Sequence, residues 1–474
     1  MNILILCTAA PGHLPFFFQL ATALTQDHHE VYFAFDSRLA NSDYPDCKVT
    51  DKVFYYSDHR RDADASVLNE FAHCNFWKLF FSDYDRFQTY GINLHRDATW
   101  YQCHAARLLS FFKSIFVSAD IDVVIHEGVT SSFSYFCYLV CAAQGKRYVG
   151  ISSSRLPGRF EIHDSPEGLG LSIQETYERY REGANVVTEE TKEAVSAYIP
   201  TFMAVAPDYV KHNGLLLANP VRKYLTSEKI AFLLRRARFV LTQPTSEYPY
   251  QMGNPLTLSY RLGVRSIARY FKSFLITKYY DKPSVADDYY LYPLHFHPES
   301  STSIHARHYV DEYVTIKNIA FNLPQRTVLY VKDHLSAAGF PSVAFYKQLT
   351  QLPNVKIIAP DENTKQLILR ARGVITLTST VGFEAVVLGK PVYVLGDVFY
   401  DFHPLCRKMN SWNDLFPLLT TDAPSSGSDS ESFDFLAAYW QCTLPGTLRI
   451  GRIVAPNPIL TIIVGAVESA LTRG

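Results

Sequence analysis

The sequence predicts an α/β protein of two Rossmann-like domains with helical insertions, and three observations support this fold class. The chain has 474 residues, which is too long for one ordinary hydrophobic core. Hydrophobic residues make up 47% of the chain and charged residues 19%, the balance of a folded globular protein. Short apolar runs alternate with helical patterns near the N-terminus and again in the second half, as in parallel sheets covered by helices.

The predicted N-terminal domain covers residues 1–284. Residues 2–36 have the pattern of a strand, a glycine-containing turn, a helix and a second strand, which together form a βαβ unit. Residues 40–118 are polar and aromatic and indicate an insertion. Buried strands are predicted at 121–125 and 147–151, so the loops that follow them share one edge of a parallel sheet with the loop after the first strand.

A second α/β domain is predicted at 285–425, where strands and helices alternate with short loops. Residues 426–474 have helical patterns and are expected to pack back on the domains. Two Rossmann-like domains that face each other across a cleft would offer one side to a donor and the other to an acceptor.

Charge argues against a nucleic-acid partner, because the formal net charge of the chain is −1. The basic residues are nevertheless concentrated: residues 222–282 contain twelve Lys or Arg and three acids. At 261–272 the basic residues recur at helical spacing beside apolar ones. Such a helix lies either on an anionic membrane surface or simply with a solvated face.

Cysteine usage and the N-terminal residues predict a cytoplasmic protein, in solution or at the inner face of the membrane. The eight cysteines are scattered without a zinc-binding spacing, which favours a reducing compartment. The chain runs at once into an apolar segment, Asn2–Leu6, that has the pattern of a strand rather than a signal peptide. No apolar run has the length of a membrane span.

The most informative motif follows a predicted strand at 373–377. Thr378, Ser379 and Thr380 place three hydroxyls at the start of a helix, where unpaired N–H groups and the helix dipole favour an anion. The motif predicts a phosphate site, with simple N-capping as the alternative. Glu384 lies one turn further along and is suited to bind a ribose.

A second motif ends the predicted strand at 327–331. Lys332 and His334 are two residues apart, so they share a face of an extended chain. At the carboxyl end of a strand both side chains could neutralise charge on a departing nucleotide phosphate.

A histidine-rich segment precedes these motifs. His295, His297 and Glu299 are followed by His305 and His308, a set that raises a metal site as an alternative. Their spacing matches no standard zinc pattern. We therefore predict that His295, His297 and Glu299 contact the nucleotide and that no metal is bound.

Metal-dependent sugar transfer often uses an Asp-x-Asp pair directly after a strand. Asp62 with Asp64 and Asp83 with Asp85 have this spacing, but both pairs lie in the polar insertion. We expect these pairs to have arisen by chance.

The acceptor side is predicted from carboxylates in the N-terminal half. Glu127 ends a buried strand, and Asp164 follows a polar segment after the next strand. A carboxylate in either position could accept the proton of an attacking hydroxyl, or stabilise or trap an oxocarbenium-like centre. His13 in the first turn and Arg155 are the predicted acceptor-binding residues.

Residues 290–400 resemble the C-terminal half of the capsular polysaccharide biosynthesis proteins, a family that includes bacterial Kdo transferases with a GT-B fold. The resemblance rests on these residues: Tyr292-Pro-Leu-His295, Pro298-Glu299, Lys332-x-His334, Pro353-Asn354-Val355, Thr378–Ala385, Gly389-Lys390-Pro391, Gly396 and Phe399-Tyr400. It implies that His334, Ser379 and Thr380 contact the phosphate of CMP. Glu127-Gly128 resembles the family's acidic-Gly motif.

The function implied is a metal-independent GT-B glycosyltransferase that moves a sugar, such as Kdo or a related acid sugar, from a CMP-activated donor. The acceptor would be a glycan or lipid-linked glycan in capsule or surface polysaccharide synthesis, and no cofactor besides the nucleotide sugar is implied. Two alternatives stay open: a UDP-sugar glycosyltransferase or nucleotide-sugar epimerase, and a non-catalytic glycan-binding or assembly subunit.

Overall fold

The structure is a computed structural model that describes residues 1–49, 52–59, 65–92, 96–129, 131–165, 168–184, 186–204, 226–421, 424, 427–448 and 458–472. Its strands are, in chain order, β1 (Asn2–Cys7), β2 (Glu30–Phe35), β3 (Val53–Tyr55), β4 (Val123–His126), β5 (Arg147–Ser153), β6 (Arg159–His163), β7 (Tyr289–Pro293), β8 (Val328–Lys332), β9 (Val355–Ile358), β10 (Gly373–Thr376), β11 (Val392–Val394), β12 (Cys406–Lys408) and β13 (Leu444–Pro445).

The α-helices of these ranges are α1 (His13–Gln26), α2 (Leu39–Asp43), α3 (Val67–Glu70), α4 (Trp77–Tyr90), α5 (Ala98–Ser118), α6 (Ser132–Ala143), α7 (Gly170–Arg181), α8 (Glu189–Thr201), α9 (Ser227–Thr242), α10 (Pro255–Ile276), α11 (Ser300–Ser303), α12 (Glu312–Phe321), α13 (Val343–Leu349), α14 (Thr364–Arg370), α15 (Thr380–Val387), α16 (Trp412–Thr420), α17 (Asp429–Gln441) and α18 (Pro458–Thr472). Short 3₁₀ helices lie at Tyr56–Asp58, Thr245–Glu247, Thr277–Tyr279 and Arg307–Tyr309.

The chain divides into two compact units. The first unit comprises Met1–Gly168, Val221–Gly263 and Leu444–Gly474, and the second comprises Leu169–Pro220 and Val264–Thr443. This division differs from the boundary predicted at 284/285. The difference arises because α7 and α8 pack on α17 and because Ile276 joins the core of the second sheet. The C-terminal segment is divided as well, since α18 packs on α1 in the first unit.

The first unit is built on a seven-stranded sheet of order β13-β6-β5-β4-β1-β2-β3. Strands β1 to β5 are parallel, and β6 runs antiparallel to β5. The last five residues of β1 are all buried, as expected for a parallel strand covered on both faces. The order 3-2-1-4-5 of the parallel strands reverses between β1 and β4, and this switch point is where doubly wound sheets bind ligands.

The second unit has a six-stranded, fully parallel sheet of order β12-β11-β10-β7-β8-β9. Numbered along the unit, this is the order 3-2-1-4-5-6 that is typical of Rossmann folds, and its switch point lies between β7 and β10. The predicted α/β class with two Rossmann-like units is therefore confirmed.

Tyrosine dominates the interior of the second unit. Among the twelve largest fully buried side chains of the described residues, seven are tyrosines, all in this unit. A buried tyrosine needs a partner for its hydroxyl. Tyr289 donates to the carbonyl of Leu367 at 2.7 Å and Tyr330 donates to Asp287 at 2.5 Å, so these rings fill the core without leaving a polar group unpaired.

We expect Gly396→Ala to destabilise the second unit. A Cβ atom at this position would lie 2.7 Å from the carbonyl oxygen of His305 and 2.8 Å from Cγ2 of Thr378. Because the His305 oxygen belongs to the backbone, it can move only with its loop, and overpacking of this kind costs about 1–3 kcal/mol. Denaturant unfolding measures the loss. Gly128→Ala is the control, since a Cβ there would meet nothing within 4 Å; equal stability of both variants would contradict the prediction.

Candidate functional site

The candidate donor site lies at the switch point of the second sheet. Strands β10, β7 and β8 are neighbours in the sheet, and all three are parallel. Thr378, His295 and His334 each follow one of these strands by two residues. The topology therefore brings three of the predicted nucleotide-binding residues to the same edge of the sheet, beside the position where Rossmann folds bind ligands.

His334 offers a hydrogen-bond donor at this edge. Its Nδ1 accepts the backbone N–H of Ser336 at 3.1 Å, so the ring proton resides on Nε2. Burial, with the nearby positive charge of Lys332, lowers the pKa of His334 to about 4. The ring is therefore neutral at physiological pH, and its half-buried side chain presents an N–H group suited to a phosphate oxygen.

Lys332 lies next to His334 and is buried. Its Nζ donates to the carbonyl of Pro360 at 2.9 Å, and burial lowers its pKa. The two residues that were predicted to neutralise phosphate charge thus differ in role, since His334 is neutral. Lys332 contributes positive charge from within the fold, and His334 faces the edge of the sheet.

Asp333, between them, fixes the geometry of this loop and was missed by the sequence motifs. Its carboxylate accepts hydrogen bonds from Tyr280 at 2.6 Å, from Tyr346 at 2.8 Å and from the backbone N–H of His334 at 2.8 Å. Burial raises the pKa of Asp333, and the hydrogen bonds partly offset that rise. The network holds the backbone of His334 at the end of β8.

Glu312 is the second residue that the motifs did not indicate. Its carboxylate accepts from the hydroxyl of Tyr292 at 2.6 Å, from the backbone N–H of His295 at 2.9 Å, and from His295 Nδ1 and His297 Nε2 at 3.2 Å each. Burial alone raises the pKa of Glu312. The hydrogen bonds that His295 and His297 donate outweigh the effect of burial, so the pKa of Glu312 is held well below its ordinary range.

An ionised Glu312 determines where the ring protons lie. Because a carboxylate can only accept, Nδ1 of His295 and Nε2 of His297 must both carry hydrogen. Nε2 of His295 then accepts the backbone N–H of Thr378 at 3.5 Å. His295 therefore connects Glu312 on α12 to the loop before α15, directly across the switch point.

The hydroxyl motif has mixed roles in the structure. Ser379 caps α15 by accepting the backbone N–H of Val381 at 3.1 Å, and Thr378 Oγ1 donates to the carbonyl of Ser301 at 3.0 Å. Thr380 begins the helix. The capping alternative is thus present, while the start of the helix still points the positive end of its dipole toward the edge of the sheet. Phosphate contact by these residues stays a prediction.

Glu384 and Glu299 occupy different environments. Glu384 is buried in α15, 3.8 Å from Lys365, and burial raises its pKa to about 7. Glu299 is exposed and caps the short helix α11. Ribose or nucleotide contact by either residue stays a prediction.

In the first unit, His13 and Glu127 meet across the switch point between β1 and β4. His13 begins α1 after Gly12, whose φ of 81° favours glycine, and its Nε2 lies 3.0 Å from Glu127 Oε2. Burial raises the pKa of Glu127. The hydrogen bond and charge of His13, together with the charge of His126, lower it by a larger amount, so the pKa is below its ordinary value. Glu127 is therefore an ionised carboxylate, and about a third of its side chain remains exposed.

Asp164 is not brought to Glu127. His163 and His126 both pair with Gly150, so they lie at the same level of the sheet. From that level β4 continues to Glu127 at the carboxyl edge, whereas the antiparallel β6 continues to Asp164 toward the amino edge. Asp164 is also exposed. The catalytic role of Asp164 stays a prediction, and the topology places this residue away from the switch point.

Arg155 lies in the loop between β5 and β6, on the carboxyl side of the sheet where Glu127 and His13 are found. Its role as an acceptor-binding residue stays a prediction.

Metal ligands were sought among the histidines and the Asp-x-Asp pairs. Within the described ranges, no group of three or more His, Cys, Asp or Glu side chains is placed to hold a metal ion. Asp83 and Asp85 lie within α4 rather than after a strand, and Asp83 accepts hydrogen bonds from Ser132 and Gln251. Asp62 and Asp64 lie outside the described residues.

Fold and site define a Rossmann-type α/β protein with a candidate phosphate site at the switch point of its second sheet. The family described as capsule polysaccharide biosynthesis protein matches residues 216–413, less than half of the chain. The family predicted from the motifs is thus confirmed for this segment, which includes strands β7 to β12.

Individual similar proteins span a range of activities. Protein FixF of Sinorhizobium fredii is 47% identical over 58 residues, which cover 12% of this chain and 14% of FixF. The beta Kdo 2,4 transferase KpsC of Thermosulfurimonas dismutans is 14% identical, with a TM-score of 0.35 and coverage of 67% of this chain and 79% of that one. UDP-GlcNAc 2-epimerase of Methanocaldococcus jannaschii is 10% identical, with a TM-score of 0.25 and coverage of 91% and 98%.

Proposed function

We propose that this protein is a glycosyltransferase of capsule or surface polysaccharide synthesis, which moves Kdo or a related acid sugar from a CMP-linked donor to a glycan. The observation that carries the proposal is that His334, His295 and the start of α15 follow three adjacent parallel strands at the carboxyl edge of the second sheet, beside its switch point. The family match over residues 216–413 supports the biosynthetic setting.

The second unit would bind the nucleotide and stabilise it as the leaving group. The neutral Nε2–H of His334, the dipole of α15 and the buried charge of Lys332 all favour negative charge near the carboxyl edge of the second sheet. These groups are fixed before the reaction, so little reorganisation is needed when the phosphate charge develops. The proposed transfer needs no metal or further cofactor.

The first unit would hold the acceptor, a glycan or lipid-linked glycan. Glu127 is the proposed catalytic carboxylate because it is ionised, partly exposed and held by His13. A general base works best with a pKa near the working pH, whereas the pKa of Glu127 is lowered. Its state therefore suits stabilisation of an oxocarbenium-like centre better than proton abstraction.

The proposed donor is a nucleotide sugar. We propose that the reaction takes place at the cytoplasmic side of the membrane. Among the helices of the described residues, none combines the length and apolarity that a bilayer span requires.

Nucleotide binding tests the proposal directly. We expect CMP to raise the melting temperature of the purified protein more than CDP, UDP or GDP, because a ligand that binds only the folded state stabilises it. EDTA should leave the shift unchanged. His334→Ala should abolish it, and His308→Ala, an exposed histidine of the same unit, should retain it.

Each other outcome contradicts a stated part of the proposal. A shift with UDP alone would favour a UDP-sugar transferase or an epimerase. The absence of any nucleotide shift would favour a glycan-binding or assembly subunit.

A further inference from the structure

In the second half of α10, from Val264 onward, the cationic side chains turn into the protein and apolar side chains are exposed. A solvated basic helix would have the reverse arrangement. Arg269 turns into the protein: its Nε donates to the carbonyl of Ala338 at 2.8 Å, and its Nη2 donates to the carbonyl of Leu335 at 3.2 Å. These carbonyls belong to the loop that follows His334.

The two neighbouring cations of α10 contact the same loop, one by hydrogen bonds and the other through an aromatic ring. Lys272 Nζ donates to the carbonyls of Phe340 and Pro341 at 2.9 and 3.1 Å. The Arg265 guanidinium lies 4.1 Å from the ring centroid of Phe340. Three of the four basic residues at 261–272 are therefore used within the second unit to contact the loop at 335–341.

The outer face of this half-helix is apolar. It carries an apolar stripe that consists of Val264, Ile267, Phe271, Phe274 and Leu275, whose side chains are 44, 47, 62, 61 and 56% exposed. The spacing of three, four, three and one residues places them on one side of the helix. A helix of a soluble unit normally buries such a face, so a contiguous exposed stripe marks an interaction surface.

Two exposed lysines follow the apolar stripe. Helix α10 contains no Asp or Glu, and the exposed Lys278 and Lys282 follow the stripe. Neither lysine forms an ion pair with another described residue. Asp281 lies between them, is exposed, and accepts the backbone N–H of Ile357 at 3.1 Å, so residues 278–282 have one more basic than acidic side chain.

We propose that the apolar stripe docks on an anionic lipid bilayer. Phe271 and Phe274 would enter the boundary between headgroups and acyl chains, and Lys278 and Lys282 would contact anionic headgroups. A second copy of the chain is a poorer occupant of this surface, because a contact between two stripes would bring like charges together. The inference goes beyond the proposed sugar transfer and does not depend on it.

Flotation with vesicles tests the docking surface. The probes are vesicles of phosphatidylcholine alone and vesicles with about a quarter phosphatidylglycerol, an anionic lipid. We expect the full chain to float with the anionic vesicles and the double variant Phe271→Ser/Phe274→Ser to bind them at least about ten-fold more weakly. The matched control is Phe321→Ser, which removes an 86% exposed aromatic outside the stripe.

Charge reversal separates the electrostatic contribution of the lysines from the contribution of the apolar stripe. Lys278→Glu/Lys282→Glu should weaken binding to anionic vesicles, and added salt should weaken wild-type binding, since surface electrostatics are screened. Failure of the wild type to float with anionic vesicles, or equal flotation of the double Phe variant, would overturn the proposal. A dimer in ultracentrifugation that the Phe variant abolishes, without vesicle binding, would assign the stripe to a second copy instead. Nucleotide-induced thermal shifts are measured on the same samples, so a failure of the proposed function is distinguished from a failure of this surface.

Discussion

Glu312→Gln is expected to remove nucleotide binding from the second unit, although Glu312 itself lies behind the candidate site. The substitution replaces a carboxylate that accepts four hydrogen bonds by an amide that must also donate. His295 then loses the group that fixes its Nδ1 proton, and with it the contact to the backbone of Thr378. We expect the affinity for CMP to fall at least about ten-fold. Isothermal titration with CMP measures the loss.

The same variant should lose stability in a pH-dependent way. The pKa of Glu312 is lowered in the folded protein, so its contribution to folding is fully present above the unfolded value near 4.5. That contribution declines as the pH falls below this value, because protonation removes the charge. We expect the wild type to be more stable than Glu312→Gln by about 3 kcal/mol at neutral pH, and the difference to shrink below about pH 4.5.

Glu189→Gln is the control, since this carboxylate is 82% exposed in the same unit. A stability difference that does not change with pH, together with unaltered CMP affinity, would show that Glu312 does not control His295.

The two folds could be predicted because their strands are continuous apolar runs. In β1 and β10 almost every residue is buried, so composition alone marks the strand, and the residue after each strand is placed at the carboxyl edge by topology. His334 and Thr378 were found in this way. Their position depends only on where a local pattern ends.

Glu312 and Asp333 could not be found from local patterns. Glu312 lies on α12, and its contact with His295 depends on how that helix packs against the sheet. Asp333 stands between two predicted site residues, but its function arises from Tyr280, 53 residues before it, and Tyr346, 13 residues after it. Side-chain partners of this kind are set by tertiary packing.

The cations of α10 illustrate a different gap. Helical spacing of Arg265, Arg269 and Lys272 defines a face, but it does not say what that face contacts. From the sequence we expected this face to contact either a membrane or solvent. In the structure Arg269 and Lys272 instead contact carbonyl groups of the loop at 335–341. The domain boundary differs for a similar reason, since α7 and α8 join the second unit through contacts with the distant α17.

Glu127→Gln should abolish sugar transfer while leaving nucleotide binding intact. The charge of Glu127 is the feature that the proposed mechanism needs, and the amide has nearly the same shape without it. We expect CMP release from CMP-Kdo in the presence of a glycan acceptor to fall at least about 10³-fold. The CMP-induced thermal shift should stay at the wild-type value, because the proposed nucleotide-binding residues lie in the second unit. Asp120→Asn, a 90% exposed acid of the first unit, is the matched control.

His13 provides the sharper test of this carboxylate. His13→Ala removes the 3.0 Å contact that lowers the pKa of Glu127, so that pKa should rise. If transfer requires ionised Glu127, activity must then be lost at a higher pH on the acid side than in the wild type, with recovery as the pH increases. A uniform loss at every pH would make His13 a substrate contact rather than a positioning residue. Full activity of Glu127→Gln would exclude the carboxylate, and Asp164→Asn would then decide whether the other predicted acid carries the reaction.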